Sequence, residues 1–306
     1  MKKEITKEEA LLLFNSDAED LFYEAAKVRK KYKGDKVKIC SIINAKSGQC
    51  GENCKFCAQS AFNKTEVTVY PLAETAQIAR SADKALENAQ CFGIVSSGNY
   101  LNEKEIDSLC EMFKNYKQVE SLSVSIGRLS DEILFKFKEA GIKKIHHNLE
   151  TSREFFPKIC TTHSYDERIN TIKRAKTLGF KICSGGLFGI GESIHDRVDL
   201  AFALKELDVD SVPMNFFIQV KGTALEGAKP LLPTEILKTI ALFRLILQKQ
   251  DIVICGGREV NLRDLQSMIF LAGANGMMSG GYLTTGGRDI ETDLKMIKDL
   301  GMETYE

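Results

Sequence analysis

The sequence predicts a parallel (β/α)8 barrel of the TIM type, preceded by a short helical lead-in. Three observations carry that reading. Eight short apolar runs of strand length alternate with segments of helix length, glycines mark many of the joins, and the alternation fills most of 306 residues, the size of one such barrel. A doubly wound open sheet is the alternative arrangement of the same alternation.

The lead-in takes residues 1–34 and the barrel 35–306. Thr6 followed by Glu9 is a capping box, so a helix opens there; Leu11, Leu12, Leu13 and Phe14 follow. A second helix near Asp17–Tyr32 places Leu21, Phe22, Ala25 and Val28 on one face. After Gly34 the period changes. The strand runs are Val37–Ile43, Cys91–Ser97, Val119–Ile126, Ile142–Glu150, Phe180–Gly186, Ser211–Ile218, Ile252–Gly256 and Gly276–Ser279. Helical patterns follow them near Ala73–Ala89, Glu103–Tyr116, Asp131–Ala140, Asp166–Leu178, Asp196–Leu207, Thr234–Lys249, Val260–Leu271 and Asp289–Leu300. Gly222–Pro233 is the longest loop bearing glycine and proline, and is expected at the mouth of a site.

Between the first run and the first barrel helix lies Cys50-Gly-Glu-Asn-Cys54-Lys-Phe-Cys57. Thiolates prefer soft metals, so three thiols in eight residues point to zinc or an iron–sulfur cluster. A closed zinc site or an ordinary [4Fe–4S] centre needs four ligands, and the next cysteine in sequence is Cys91. Three ligands leave one iron open, and an open metal is where chemistry happens.

Lys plus Arg and Asp plus Glu are 42 each, so nothing in the charge suggests nucleic acid or an anionic membrane. No run approaches 18 apolar residues, and the first residues lack an apolar signal core. The nine cysteines therefore sit in a reducing, cytoplasmic setting, and their clusters read as metal ligands rather than disulfides. In a barrel the chemistry gathers at the carboxyl ends of the strands. Asn148 and Glu150 end the fourth run, Asn215 lies in the sixth, Arg258 and Glu259 end the seventh, and Thr284 and Thr285 follow the eighth. The glycine-rich stretch Gly185–Glu192 reads as a turn, or as backbone open to a nucleoside. His146 and His147 read as core histidines, and His163 and His195 as loop or helix-surface residues.

The octet resembles the signature of the radical S-adenosylmethionine superfamily. There, the open iron chelates S-adenosylmethionine, whose cleavage releases a 5′-deoxyadenosyl radical, and the aromatic at the place of Phe56 lies near the adenine. Asn44–Cys50, Cys57–Ser60, His147–Ser152, Cys183–Gly186, Val220–Thr223, Gly257–Glu259 and Leu283–Thr285 together resemble the biotin synthase family, which inserts sulfur into dethiobiotin. The resemblance implies that Cys50, Cys54 and Cys57 hold a [4Fe–4S] cluster. It implies that Arg168 pairs with the carboxylate of S-adenosylmethionine and that Glu150 meets its ribose. Asn148 and Asn215 would bind the ureido ring of dethiobiotin, with Thr284 and Thr285 near its carboxylate. A homodimer and a low-potential reductant of the flavodoxin or ferredoxin type are also implied. Rival readings are a hydrogenase-maturation or pyrrolysine-forming relative, an iron–sulfur sensor, and a zinc-binding interaction domain.

The sequence departs from the family at one place. The resemblance implies an auxiliary [2Fe–2S] sulfur donor held by three cysteines and an arginine, and only Cys183 and Arg258 match; Gly93 and Ser123 occupy the other two positions. One thiolate does not hold a two-iron cluster. Cys40, Cys91, Cys183 and Cys255 all fall in predicted strands, and alternate strands share an interior layer. The expectation is that these four hold a rebuilt auxiliary cluster, of [4Fe–4S] type, with Arg258 a ligand or a charge beside it. Cys110 and Cys160 are expected to be non-ligands.

Overall fold

The computed structural model describes residues 5–284 and 286–305. Two helices, α1 (Lys7–Asn15) and α2 (Ala18–Lys33), precede ten strands and ten further helices. The strands are β1 (Lys36–Lys46), β2 (Cys91–Ser96), β3 (Leu122–Ser125), β4 (Lys144–His146), β5 (Lys181–Cys183), β6 (Gly186–Phe188), β7 (Ser211–Phe216), β8 (Asp251–Ile254), β9 (Gly276–Met278) and β10 (Glu303–Thr304). The helices between them are α3 (Thr75–Leu86), α4 (Glu103–Asn115), α5 (Asp131–Glu139), α6 (Phe156–Ile159), α7 (Tyr165–Thr177), α8 (Ile194–Glu206), α9 (Pro233–Ile246), α10 (Arg258–Leu262), α11 (Met268–Leu271) and α12 (Ile290–Asp299).

Every pairing among the barrel strands is parallel, and β1 pairs with both β2 and β9, so the sheet closes. The fifth stave is split. β5 meets β7 at Cys183 and Ser211, and β6 resumes at Gly186 opposite Met214. Gly185, in the gap, runs so close to the neighbouring strand that an added Cβ would lie 1.9 Å from the Pro213 carbonyl oxygen. Its own N–H is then free to turn toward the Asn148 side chain, where it is bonded at 3.1 Å.

Strands covered on both faces read as continuous apolar runs, and β7 is buried at five of its six residues. The capping box at Thr6 forms as the sequence predicts, and equivalent boxes start α4, α7 and α8. The lead-in does not stand apart: Leu21 and Ala25 of α2 pack on Ala241 and Leu245 of α9. The single helix expected over Val260–Leu271 is instead α10, a 3-10 turn at Arg263–Leu265, and α11. Arg263, with φ +53°, breaks the helical path.

Candidate active site

The thiol loop leaves the carboxyl end of β1 and is pinned by its own side chains. Asn63 donates to the carbonyls of Cys54 (3.1 Å) and Cys57 (2.8 Å), Ser60 donates to the Glu52 carbonyl (2.6 Å), and Gln59 accepts from the Gly48 N–H (3.1 Å). Cys50, Cys54 and Cys57 all face a cavity of about 430 Å³ at the mouth of the barrel, with Phe56 in the same wall. The donor set suits an iron–sulfur cluster: three soft ligands on a loop already held in shape. Burial pushes the Cys57 thiol up to about 11, so without a metal it keeps its proton. A metal displaces such protons on binding.

The same cavity collects Asn148, Glu150, Arg168, Asn215 and Thr284, each named from sequence; Thr285 lies outside the described residues. Arg168 is not a surface charge of α7. Its side chain is only 14% exposed, and its Nη1 donates to the Asn148 carbonyl at 2.8 Å. Glu150 reaches the cavity from a left-handed backbone, φ +70°, uncommon for any residue but glycine. Its backbone is clasped by the split stave: its N–H donates to Gly185 and its carbonyl accepts from Leu187. The two asparagines are held alike. Oδ1 of Asn148 accepts from the Gly185 N–H, and Oδ1 of Asn215 accepts from the Gly256 N–H at 3.0 Å. A backbone N–H needs an acceptor, so these bonds fix which end of each amide is oxygen. Both NH2 groups are left to make only long contacts of 3.4 Å. His146 Nε2 lies 3.0 Å from the Asn148 Oδ1, and burial lowers the pKa of both His146 and His147, keeping them neutral.

The expectation for His163 is corrected here. His163 is not a surface residue: its side chain is 10% exposed and its Nδ1 lies 2.6 Å from the Glu52 carboxylate. Cys160, far from the octet in sequence, lies beside it in space, 3.7 Å from the Cys54 sulfur. The Cys54 thiol donates to the Cys160 sulfur, which pushes Cys54 up and draws Cys160 down. Of the two readings of the glycine-rich stretch, the turn is the one seen, with positive φ at Gly189 and Gly191. Glu192 folds back onto its own loop, accepting from the N–H groups of Gly189 and Ile190 and from Arg197, and does not face the cavity. Of the Gly222–Pro233 loop, no residue lines the mouth, although Val220 just before it does.

A second cavity of about 730 Å³ opens at the amino end of the barrel. Cys40, Cys91, Cys183 and Cys255 all line it. Register explains part of this: Cys40 and Cys91 are paired neighbours on β1 and β2. A hydrogen bond from Cys40, with Lys144 and Lys38 nearby, pulls the Cys91 thiol below its ordinary range. Burial pushes Cys183 up to about 12. Ile42, Val95, Ser125, His146 and Met278 border both cavities, forming a partition between them.

The family model of the radical SAM superfamily matches residues 46–204, and that of the Biotin and Thiamin Synthesis associated domain matches 213–303. A biotin synthase of Endomicrobium trichonymphae is 67% identical over 301 residues, covering 98% of this chain and 94% of the relative. One from Citrifermentans bemidjiense is 50% identical over 306 residues, covering 98% and 93%. The chain belongs to the biotin synthase family. Solved structures share the barrel at much lower identity. Methylornithine synthase superposes with a TM-score of 0.85 at 23% identity, covering 100% of this chain and 95% of that one. The FeFe-hydrogenase maturase of Carboxydothermus hydrogenoformans gives 0.85 at 18%, covering 99% and 76%. The full-length likeness to biotin synthases favours that reaction over those of the pyrrolysine-forming and hydrogenase-maturation relatives.

Within the biotin synthase frame, the departure has a geometric form. Gly93 and Ser123, at the positions where the resemblance implies thiols, are paired in register on β2 and β3. Cys91 lies two residues before Gly93, on the same face and one layer nearer the amino end, with its Sγ 3.9 Å from Ser123 Oγ. Arg258 is fully buried at the start of α10, but neither cavity is lined by it. Its guanidinium donates to Asp293 (2.8 Å), Gln266 (2.7 Å) and Glu259 (3.2 Å).

Proposed function

We propose that the chain closes the thiophane ring of biotin on dethiobiotin, with Cys50, Cys54 and Cys57 holding a radical-generating [4Fe–4S] cluster. In this reading Cys40, Cys91, Cys183 and Cys255 hold an auxiliary, four-iron sulfur donor. The observation that supports it is the pair of thiol-lined cavities separated by one partition inside one barrel. The cluster and S-adenosylmethionine, when bound, supply a carbon radical able to take hydrogen from an unactivated C–H bond, which no general base can deprotonate.

The chain's own residues position and shield. Arg168 grips the carboxylate of S-adenosylmethionine, because a guanidinium matches a carboxylate in shape and charge. Glu150 accepts from the ribose hydroxyls, and Phe56 lies against the adenine. Asn148 and Asn215 have spent their carbonyl oxygens on backbone N–H groups, so their NH2 groups converge on the ureido oxygen of dethiobiotin. Thr284 and Thr285 bind the far carboxylate. The apolar partition residues Ile42, Val95 and Met278 keep water from the reacting carbons. Arg258, occupied by Asp293, acts as a charge favouring the Cys255 thiolate and not as a ligand. A flavodoxin- or ferredoxin-type reductant, a homodimer and a cytoplasmic setting complete the proposal; no helix among the described residues is long and apolar enough to cross a membrane.

Anaerobically reconstituted protein given dethiobiotin, S-adenosylmethionine and a low-potential reductant is expected to yield biotin and 5′-deoxyadenosine. Cys40→Ala and Cys255→Ala are each expected to lower iron beyond that of the radical cluster; unchanged iron in both would remove the auxiliary assignment.

A further inference from the structure

The residues around Arg168 form a chain of contacts that starts in the thiol loop. Glu52 lies between Cys50 and Cys54 and is buried. Its Oε2 meets His163 Nδ1 at 2.6 Å and also accepts from the Thr162 hydroxyl. The other ring nitrogen of His163, Nε2, accepts from Arg168 Nε at 3.0 Å. Arg168 Nη1 then donates to the Asn148 carbonyl. Phe156 of α6 backs both members, its ring centroid 5.4 Å from the His163 ring and 5.4 Å from the Arg168 guanidinium carbon.

Nδ1 of His163 also lies 3.3 Å from the Cys160 sulfur. A guanidinium N–H only donates, so the Arg168 contact needs Nε2 of His163 as a bare acceptor. A ring proton on Nδ1 then faces both the Glu52 carboxylate and the Cys160 sulfur. A carboxylate that fixes the tautomer of a histidine, which in turn holds a third group, is a recurrent orienting device. Arg168 has two of its three nitrogens engaged in this way, and its Nη2 donates to no protein group among the described residues. Arg168 lines the mouth cavity, with its Nη1 also 3.9 Å from Glu150 Oε1.

We infer that His163 is a positioning residue: its imidazole, oriented by Glu52, turns the Arg168 guanidinium so that its remaining N–H edge meets the carboxylate of S-adenosylmethionine. The inference rests on the role proposed for Arg168 above. It links the loop that carries the cluster ligands to the group that orients the cofactor, through side chains over a hundred residues apart in sequence.

The test is equilibrium binding of S-adenosylmethionine to the anaerobically reconstituted protein without reductant, with iron content measured on every variant. Arg168→Ala is expected to weaken binding by tenfold or more. His163→Ala is expected to weaken it about tenfold, the size of a coupling of roughly 1.4 kcal/mol. The double variant is expected to bind no worse than Arg168→Ala alone, because His163 acts through the arginine. Two conservative changes separate positioning from packing. His163→Gln can place a carbonyl oxygen where Nε2 lies and is expected to recover most of the affinity. His163→Asn keeps an amide near the Nδ1 position, reaches Glu52 but not Arg168, and is expected to remain weak. These two also stand in for the alanine variant if it loads iron poorly. If Arg168→Ala weakens binding and the histidine variants do not, or if the two losses simply add, the inference is overturned and the role of Arg168 survives. If Arg168→Ala binds as the parent does, the underlying assignment of Arg168 falls first.

Discussion

Asp293 is the residue expected to keep Arg258 from acting as a cluster ligand, and its removal has a calculable cost. Both side chains are 0% exposed and meet at 2.8 Å. Burial raises the Asp293 carboxyl above its ordinary range and Arg258 only partly offsets this, so the pair contributes little net stability while intact. Breaking it is different. Asp293→Ala leaves a guanidinium buried with Gln266 and the partly exposed Glu259 as its remaining partners. Removing one partner of a buried ion pair costs about 3–5 kcal/mol. For a chain of this length that is roughly 6–10 °C in melting temperature, at about 2 °C per kcal/mol. Replacing both partners, Arg258→Met with Asp293→Leu, is expected to recover most of the loss, because no charge is left to strand. Thermal and urea denaturation of these two variants and of Arg258→Met alone, with iron counted on each, measures this. A cost below about 1 kcal/mol for Asp293→Ala would refute the argument. A fall in iron for Arg258→Met at unchanged stability would refute it from the other side, by making the arginine a ligand.

Asn148→Ala and Asn215→Ala are each expected to lower kcat/KM for dethiobiotin by about 1–3 kcal/mol in barrier, since each removes a donor to the substrate and strands the N–H of Gly185 or Gly256; steady-state kinetics with substrate varied reads this. Gly186→Ala places a Cβ 2.5 Å from the Glu150 carbonyl oxygen and 2.6 Å from a Leu200 methyl, so it is expected to displace Glu150 and weaken binding of S-adenosylmethionine, while Gly281→Ala, with open space around it, leaves binding unchanged. Asp251 is buried, which alone would raise its pKa, yet Lys38 and Lys33 hold it below the usual carboxylate range. Its depressed folded-state value means its stabilising contribution is complete above about pH 4 and lost as pH falls through that value. Acid unfolding curves are therefore expected to be flatter for Asp251→Asn than for the parent.

Much of the architecture is legible in the chain itself because it is local. The eight apolar runs follow from strands covered on both faces, and the Thr6–Glu9 box from satisfying free N–H groups within one turn. The site residues at strand ends were readable for the same reason: a (β/α)8 barrel carries its chemistry on one rim. What the pattern does not carry is contact across long separations. Glu52 and His163 are 111 residues apart, and nothing in either neighbourhood signals the other. The four-residue α6, which brings Cys160 to Cys54, is too short to have a period. The split in the fifth stave falls where the run Phe180–Gly186 meets the glycine-rich stretch, and its cause is the approach of Gly185 to Pro213 on another strand. Glu192 ends a glycine-rich stretch that resembles a ligand loop, yet its carboxylate is consumed by the loop's own N–H groups.

The residues that border both cavities serve two chambers at once. The lower chamber is walled in part by exposed Lys181, Lys249 and Asp208, away from the upper rim where Thr284 stands. A side chain changed at Ile42, Val95, Ser125, His146 or Met278 therefore reshapes both chambers together, whereas a change at Lys181 or Thr284 reshapes one.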